Sequence, residues 1–404
     1  MSTPKPSKPH VAILGAGPTG LEAALAAAEG GFPFTVYEAA PEVAGNIRSW
    51  GHVRLFTPWE MNVSPRMRRH LEAAGVEAPD GAECPTGREL ADRLLARIAA
   101  LPAVAPNLRL GARVRAIGRE GLLKHEEIAT AERGRRPFRL LVSDASGREW
   151  TDRANVVIDA TGTYGNPNTL GDGGIPAPGE RSLDSLENAI RRHIPDFSRE
   201  AQVWAGRTVL LAGAGHSAQT AARDLAELAR QAPGTRVIWA VRNPSPGWGT
   251  HEGDPLPERA RLAAEAAALA GGASPAVEAH RAVAVEEVSS QDGRLRVVLR
   301  NGAGPEEVLV DRILSLTGYV GDHELYRQLQ VHECYATCGP IKLSAALLGA
   351  GGGDCLSQTS HGVDTLTNPE PGLFILGSKS YGRNNTFLMR VGWEQVGEVF
   401  GLLG

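Results

Sequence analysis

Hydrophobic and polar positions along this chain follow a grammar that appears twice. His10 to Leu14 is a short apolar run that reads as a strand. It leads into the turn Gly15-Ala16-Gly17-Pro18-Thr19-Gly20, and the alanine-rich stretch behind it has helical composition through Glu29. Phe34 to Glu38 then reads as a second strand. The same order returns as a strand at Thr208 to Ala212, the turn Gly213-Ala214-Gly215-His216-Ser217-Ala218, a helix to about Arg230 and a strand at Val237 to Val241. Two strand, turn, helix, strand units predict two nucleotide sites, and an α/β fold with two Rossmann-like dinucleotide-binding domains.

Between the two units the pattern predicts a helix over Arg88 to Ala100, β-rich pieces at Ala112 to Ile117 and Phe138 to Ser143, and an apolar strand from Asn155 to Asp159 that runs into Ala160-Thr161-Gly162. The Pro/Gly-rich run Asn166 to Glu180 reads as a linker. After the second unit come a helix over Pro257 to Ala270 and three strands ending at Leu316, with Thr317-Gly318-Tyr319 marking the exit from that domain. Gly372 to Gly377 is a final strand, and a terminal helix over Asn385 to Leu402 returns the chain to the first domain. The expected division is 1–170 and 321–404 for one discontinuous domain, with 171–320 inserted into it.

Composition narrows the partners. A length of 404 residues suits two or three domains. A net charge of −4 gives no electrostatic reason to expect nucleic acid or an anionic membrane, so a small-molecule substrate is the default. The polar, proline-rich opening Met1 to Pro9 reads as a frayed tail and not a signal peptide. No apolar run approaches the ~20 residues needed to cross a bilayer, and the 4 cysteines form no disulfide framework. A cytoplasmic location is expected.

In the first turn Gly15 permits the bend, Gly17 lets the backbone approach a pyrophosphate, and Gly20 allows close helix–sheet packing. Pro18 and Thr19 open the helix whose N-terminal amides would face the phosphates. Glu38, at the end of the second strand, is placed to accept hydrogen bonds from ribose hydroxyls. The second turn has the GxGxxA form, with Gly213, Gly215 and Ala218 in the three small positions and His216 and Ser217 opening the helix. Its second strand ends in Arg242 with no carboxylate, which favours a 2′-phosphate and so NADPH over NADH. Plainer readings stay open: a glycine turn can be purely structural, and Arg242 can simply cover a strand end.

GAGPTG with Glu38, VVIDATG ending at Gly162, GAGHSA and the late Thr317-Gly318-Tyr319 together resemble the flavin-containing monooxygenase branch of the flavoproteins with two dinucleotide-binding domains. The match covers most of the chain. The resemblance implies that the first fingerprint binds FAD and the second NADPH, and that Thr161 and Gly162 carry the chain past FAD. Leu55 to Met67 resembles the family segment beside the flavin, which implies that Asn62 hydrogen-bonds near the reacting edge and protects a peroxyflavin. On the residues alone, Asn62 and Ser64 serve equally as helix caps. The F-x-G-x-x-x-H signature of the branch is not readable in Asp196 to Arg207. Gly377 stands where relatives often carry Gly-Asp near the ribityl chain, so it is carried over as a cofactor contact. Tyr381, Arg383 and Asn384 are polar candidates for the flavin or substrate pocket, with helix capping as their alternative.

The implied activity is a monooxygenase, in which NADPH reduces the flavin and a peroxyflavin formed with molecular oxygen passes one oxygen atom to a small nucleophilic substrate. One rival is an NADPH-dependent reductase of disulfides or small acceptors that uses Cys334 and Cys338, whose i,i+4 spacing would put them on one face of a helix. Another is a non-enzymatic flavoprotein redox sensor. The set His332, Cys334, Cys338, Cys355 and His361 would also suit a soft metal, but its spacing resembles no structural zinc motif, and buried inert cysteines are the commonest outcome. No metal is expected.

Overall fold

The computed structural model describes residues 8–183, 189–250, 253–350 and 355–404. The expected N-terminal tail therefore lies, through Ser7, outside the described residues. The chain divides into two compact units, Met1–Asn166 with Val320–Gly404, and Pro167–Tyr319.

The first unit is built on a five-stranded parallel sheet, in the order Leu373–Ile375, Val156–Asp159, Val11–Leu14, Phe34–Tyr37, Leu108–Arg109. Its inner strands are buried at every residue, which is why they read as unbroken apolar runs and not as alternating ones. Each fully buried Val, Ile or Leu here contributes about 1.5–3 kcal/mol. The helix Pro18–Glu29 starts on a proline whose missing N–H costs nothing there, and buries its alanine-rich middle. Close behind it, Phe32 meets Phe400 of the terminal helix Met389–Leu403 edge to face at 5.6 Å. The helix Pro65–Ala73 is capped by Ser64, whose Oγ accepts from Met67 N at 2.9 Å and donates to Glu22 Oε2 at 2.6 Å. Burial pushes the Glu22 carboxyl up, against the pull of Ser64 and its ion pair with Arg66. The helix expected over Arg88 to Ala100 forms as Gly87–Ala99 with a π-type stretch at Leu90–Leu95.

A three-stranded antiparallel sheet, Arg113–Arg119, Phe138–Ser143 and Glu149–Ala154, completes this unit. It is tied to the late chain by a buried charge cluster. Arg119 Nε donates to Glu370 Oε1 at 2.6 Å and Arg133 Nε to Glu370 Oε2 at 2.9 Å, and all three side chains are 0% exposed. Gln330 N also donates to Glu370 Oε2, at 2.7 Å, and the Arg119 guanidinium stacks on Phe138 at 3.6 Å.

The second unit repeats the parallel design in the order Val277–Arg281, Arg236–Val241, Thr208–Ala212, Arg312–Ser315, Ile190–Arg191. Behind the helix Pro257–Ala270 the chain makes five strands where three were expected. The antiparallel ones, Ala284–Gln291, Arg294–Asn301 and Gly304–Val310, are half exposed and charged on one face, so an apolar count underestimates them. Nor is Pro167 to Glu180 a free linker. A Cβ on Gly179 would lie 1.8 Å from Val288 O, and the buried Glu180 carboxylate accepts from Leu170 N and Ala177 N, each at 2.9 Å. Pro and Gly mark turns in this stretch, but tertiary packing decides that it is fastened down. Among the described residues no helix is long and apolar enough to cross a membrane.

Removing Glu370 leaves two arginines buried without a counter-charge, so Glu370→Ala should lower stability by about 3–5 kcal/mol. Chemical denaturation followed by tryptophan fluorescence measures this, and a loss below about 1 kcal/mol would mean that the cluster does not hold the small sheet.

Candidate active site

The two glycine turns have the same geometry. Gly15 has φ +94° and Gly213 has φ +127°, and an added Cβ would lie 2.8 Å from Ala160 O in the first turn and 2.3 Å from Leu316 O in the second. Only glycine fits at either position. The second glycine of each turn is the opposite case, since a Cβ on Gly17 or Gly215 would meet nothing within 4 Å. Each of these open glycines is the N-cap of a long helix with no side-chain cap hydrogen bond. A bare backbone beside helix N-terminal amides is a cradle for a pyrophosphate. Gly20 touches Gly15, with a Cβ placed 1.9 Å from Gly15 O, and Ala218 fills the equivalent position in the second turn. Each unit also returns a strand to its turn and leaves it through a threonine and a left-handed glycine, Thr161-Gly162 (φ +70°) and Thr317-Gly318 (φ +90°).

Around the first turn the structure gathers most of the residues singled out in the sequence. Glu38 Oε2 accepts from Ala16 N at 2.8 Å and Oε1 from Ala40 N at 2.9 Å, which holds the carboxylate at the strand ends. A Cβ on Gly377 (φ +74°) would lie 2.9 Å from Thr19 Oγ1, and one on Gly162 would lie 3.7 Å from Ser378 Oγ. Gly392, which sequence reasoning passed over, lies as close to Thr19 Oγ1, at 2.9 Å for an added Cβ.

A second missed pair sits deeper. Asp159 Oδ2 accepts from Lys379 Nζ at 2.6 Å, and the two side chains are 0% and 1% exposed. Asp159 Oδ1 accepts from Thr161 N at 3.0 Å and Thr161 Oγ1 at 2.7 Å. The readable signal was a carboxylate ending the otherwise apolar Val156–Asp159; nothing in the sequence said that its partner was Lys379.

Asn62 is 1% exposed at the end of the short helix Trp59–Asn62. Its Nδ2 donates to Thr57 O at 2.7 Å and its Oδ1 accepts from Thr57 Oγ1 at 2.7 Å. The side chain closes its own turn, and the capping of the next helix falls to Ser64 alone. Asn384 Oδ1 accepts from Thr386 N and Oγ1 at 3.0 and 2.8 Å, a local turn before the terminal helix. Burial raises the Tyr381 phenol to about 12.

Cys334 and Cys338 do not share a helix. Glu333–Cys334 pairs antiparallel with Gly339–Pro340, and Cys338 N donates to Cys334 O at 2.8 Å, so the two cysteines flank a tight hairpin. The glycine at 339 and the chain's re-entry set this turn, and a four-residue spacing alone could not distinguish it from helix. Cys338 has φ +56°, unusual for a residue with a side chain. Hydrogen bonds from the Thr337 side chain and from the Thr337 and Ala336 amides hold the Cys334 thiol below the usual range. The hairpin docks on the segment behind Gly377: Arg383 N donates to Thr337 O at 2.6 Å, and a Cβ on Gly339 would lie 3.1 Å from Ser380 O. All 4 cysteines are free thiols. Among the described residues no group of three or more His, Cys, Asp or Glu is placed to hold a metal ion.

In the second unit, Gln219 Nε2 donates to Ala214 O and Trp248 O, both at 3.0 Å, tying the glycine turn to the loop after Arg242. Trp239 Nε1 donates to Gly213 O at 2.8 Å, and its ring packs on Trp248 at 4.7 Å. His216 and Ser217 open the helix that begins this site. Arg242 is exposed at the strand end, with no carboxylate beside it in the chain.

A family model described as pyridine nucleotide-disulphide oxidoreductase matches residues 9–334. The chain belongs to that family. FAD and NADPH are its cofactors, and the two open cradles fit a pair of dinucleotides. No curated protein matches the sequence. Among solved structures, the bacillithiol disulfide reductase of Bacillus cereus is similar with a TM-score of 0.71 at 17% identity, covering 98% of each chain. Thioredoxin reductase of T. acidophilum gives 0.60 at 15%, over 97% of this chain and 98% of that one. The ornithine hydroxylase of Pseudomonas aeruginosa gives 0.62 at 16%, over 98% of each. At these identities the likeness is one of fold. It spans reductases and monooxygenases alike, so the family stands and the monooxygenase branch is not singled out.

The contrast between packed and open glycines has a direct consequence. Gly15→Ala should destabilise the protein by about 1–2 kcal/mol or more, through its backbone conformation and the contact with Ala160. Gly17→Val should leave thermal unfolding of the cofactor-free protein nearly unchanged while lowering the dinucleotide retained on purification. Equal destabilisation by both would contradict the assignment of the open cradle.

Proposed function

We propose that the protein is an NADPH-dependent flavoprotein reductase of small disulfides, acting through Cys334 and Cys338, with the first glycine turn taking FAD and the second NADPH. The observation that carries the reading is the thiol hairpin docked on Ser380–Arg383, next to the turn that Gly377 and Thr19 build. The overall reaction is NADPH + H⁺ + RSSR → NADP⁺ + 2 RSH. When bound, FAD would supply the transfer of two electrons from NADPH to the disulfide formed between Cys334 and Cys338. The chain's own part is nucleophilic. The Cys334 thiolate attacks one sulfur of the substrate, a bond to that sulfur forms, and the first thiol leaves. Cys338 then displaces the second thiol and closes the Cys334–Cys338 disulfide, which the two electrons reopen. Glu38 would hold a ribose, Gly17 and Gly215 would admit the pyrophosphates, and Arg242 would meet the 2′-phosphate.

The monooxygenase remains the second reading, favoured by the burial of Asn62 in the first unit. Thr57 uses one of its two amide hydrogens, which leaves the other for a partner. The deciding experiment reduces the protein anaerobically with NADPH and then mixes it rapidly with oxidised glutathione or with oxygenated buffer. The reductase reading expects reoxidation by the disulfide and its loss in both Cys334→Ser and Cys338→Ser. A reaction with the disulfide that survives both substitutions sinks it, and a transient near-ultraviolet species that decays slowly to oxidised flavin would move the assignment to the monooxygenase. For the second site, Arg242→Ala should raise KM for NADPH roughly ten-fold and leave that for NADH alone, the loss of about one charge-assisted hydrogen bond. Equal effects on both nucleotides would remove Arg242 from the site.

A further inference from the structure

Beyond Arg242 the chain leaves its strand as a loop, and among residues 242–250 only Trp248 is buried. That one residue fastens the loop to the second glycine turn. Gln219, in the first turn of the helix His216–Gln231, is 2% exposed and uses both hydrogens of its Nε2 there: one goes to Ala214 O in the turn and one to Trp248 O in the loop, each at 3.0 Å. The Trp248 ring packs on Trp239 at 4.7 Å, and Trp239 Nε1 donates to Gly213 O at 2.8 Å. Gly249 then reaches the head of the helix, where an added Cβ would lie 3.4 Å from His216 Nε2. The loop therefore runs from the end of the second strand back to the glycine turn. In a nucleotide-binding unit of this form those two points receive the adenosine ribose and the pyrophosphate. We propose that Arg242–Thr250 is a strap that clasps the adenosine half of the dinucleotide and that Gln219 is the positioning residue that latches it, an inference that rests on the reading of the second turn as the NADPH site.

The strap is stiff at both ends. Asn243 Oδ1 accepts from Ser245 N at 2.9 Å near its root, and Thr250 Oγ1 donates to Gly247 O at 2.9 Å at its tip, with Pro244 and Pro246 between. A wall ordered in advance loses little freedom when a ligand settles against it. It does not plug the cradle, because a Cβ on Gly215 still meets nothing within 4 Å. The latch nevertheless carries two costs. Trp248 has φ +51°, a conformation rare for a bulky residue, and Gln219 Oε1 is buried with no hydrogen-bond partner among the described residues. Costs of this kind cluster at ligand clamps and make a segment open more readily than its surroundings. Glycines on either side of Trp248 give the strap its hinges, and Gly249 already has φ +73°. The closed strap offers an adenosine contacts that the open one lacks, so binding shifts the strap towards the closed form.

The test follows hydrogen exchange of the strap amides in the FAD-loaded protein, with 2′,5′-ADP as the probe. At about ten times its Kd the probe should slow exchange of the strap about ten-fold, and nicotinamide mononucleotide should leave it unchanged. Gln219→Leu keeps the side chain's bulk and removes its amide. It should abolish that protection, weaken the far-ultraviolet circular-dichroism couplet of the Trp239–Trp248 pair, and raise Kd for 2′,5′-ADP about ten-fold, with FAD content unchanged. Strap exchange that ignores bound 2′,5′-ADP, or a Kd unmoved by Gln219→Leu, would overturn the clasp and leave the NADPH reading standing. Protection by 5′-AMP equal to that by 2′,5′-ADP, at equal affinity, would keep the clasp and sink the 2′-phosphate reading. Failure of either nucleotide to bind would sink both. Should Gln219→Leu not fold, the exchange of the wild-type strap with and without 2′,5′-ADP decides by itself.

Discussion

The Asp159 carboxylate is the point from which the first unit's site hangs. It ends a fully buried strand, accepts two hydrogen bonds from Thr161 through one oxygen, and takes the Lys379 ammonium on the other at 2.6 Å. A buried ion pair rarely adds net stability over apolar residues of the same shape, because desolvating both charges costs several kcal/mol per ion. Its value lies in geometry. Two segments far apart in the chain, Ala160–Gly162 and Gly377–Tyr381, are held against the glycine turn by a contact that tolerates no slack once water is excluded. Gly15, Thr19, Gly162 and Gly377 meet because this pair holds the returning strand end in register.

The two units solve the same problem with different chemistry. Both bend the chain at a glycine that no side chain could replace, then leave a bare glycine at the head of a helix. Around that shared frame the first unit places a carboxylate, Glu38, and the second an arginine, Arg242. A carboxylate suits a ribose diol and repels a phosphate; a guanidinium does the reverse. The shared frame thus carries a different charged group in each unit through the residue at the end of a single strand.

The segment from Val320 to Pro371, the least familiar part of the sequence, is fastened at several places. Glu370 accepts from Arg119 and Arg133 inside the small antiparallel sheet, and Gln330 donates to the same carboxylate. Gly321 passes over Lys379, and the hairpin of Cys334 and Cys338 docks on Ser380–Arg383. These contacts bring the thiols of Cys334 and Cys338 to the first unit from a stretch whose spacing matched no known motif.

The sequence by itself determined what depends on neighbours in the chain. Unbroken apolar runs named the buried parallel strands, alanine-rich stretches named the helices, and the glycine turns named both cradles, because strand, turn and helix form within a few residues of one another. The positions of Glu38 and Arg242 at the ends of their strands were legible for the same reason. Tertiary structure alone decided what depends on distant partners. Nothing local pairs Asp159 with Lys379 or places Gly392 against Thr19. The hairpin at Cys334 was read as a possible helix face because a four-residue spacing suits both forms, and the packing of Gly339 against Ser380 selects one. The half-exposed strands after Val277 were undercounted because charged faces hide their alternation, and pairing with neighbouring strands makes them strands. Asn62 shows the limit most plainly: a family resemblance implied a place beside the flavin and the residue type alone a helix cap, while its hydrogen-bond partner in the fold is Thr57, five residues back in the chain.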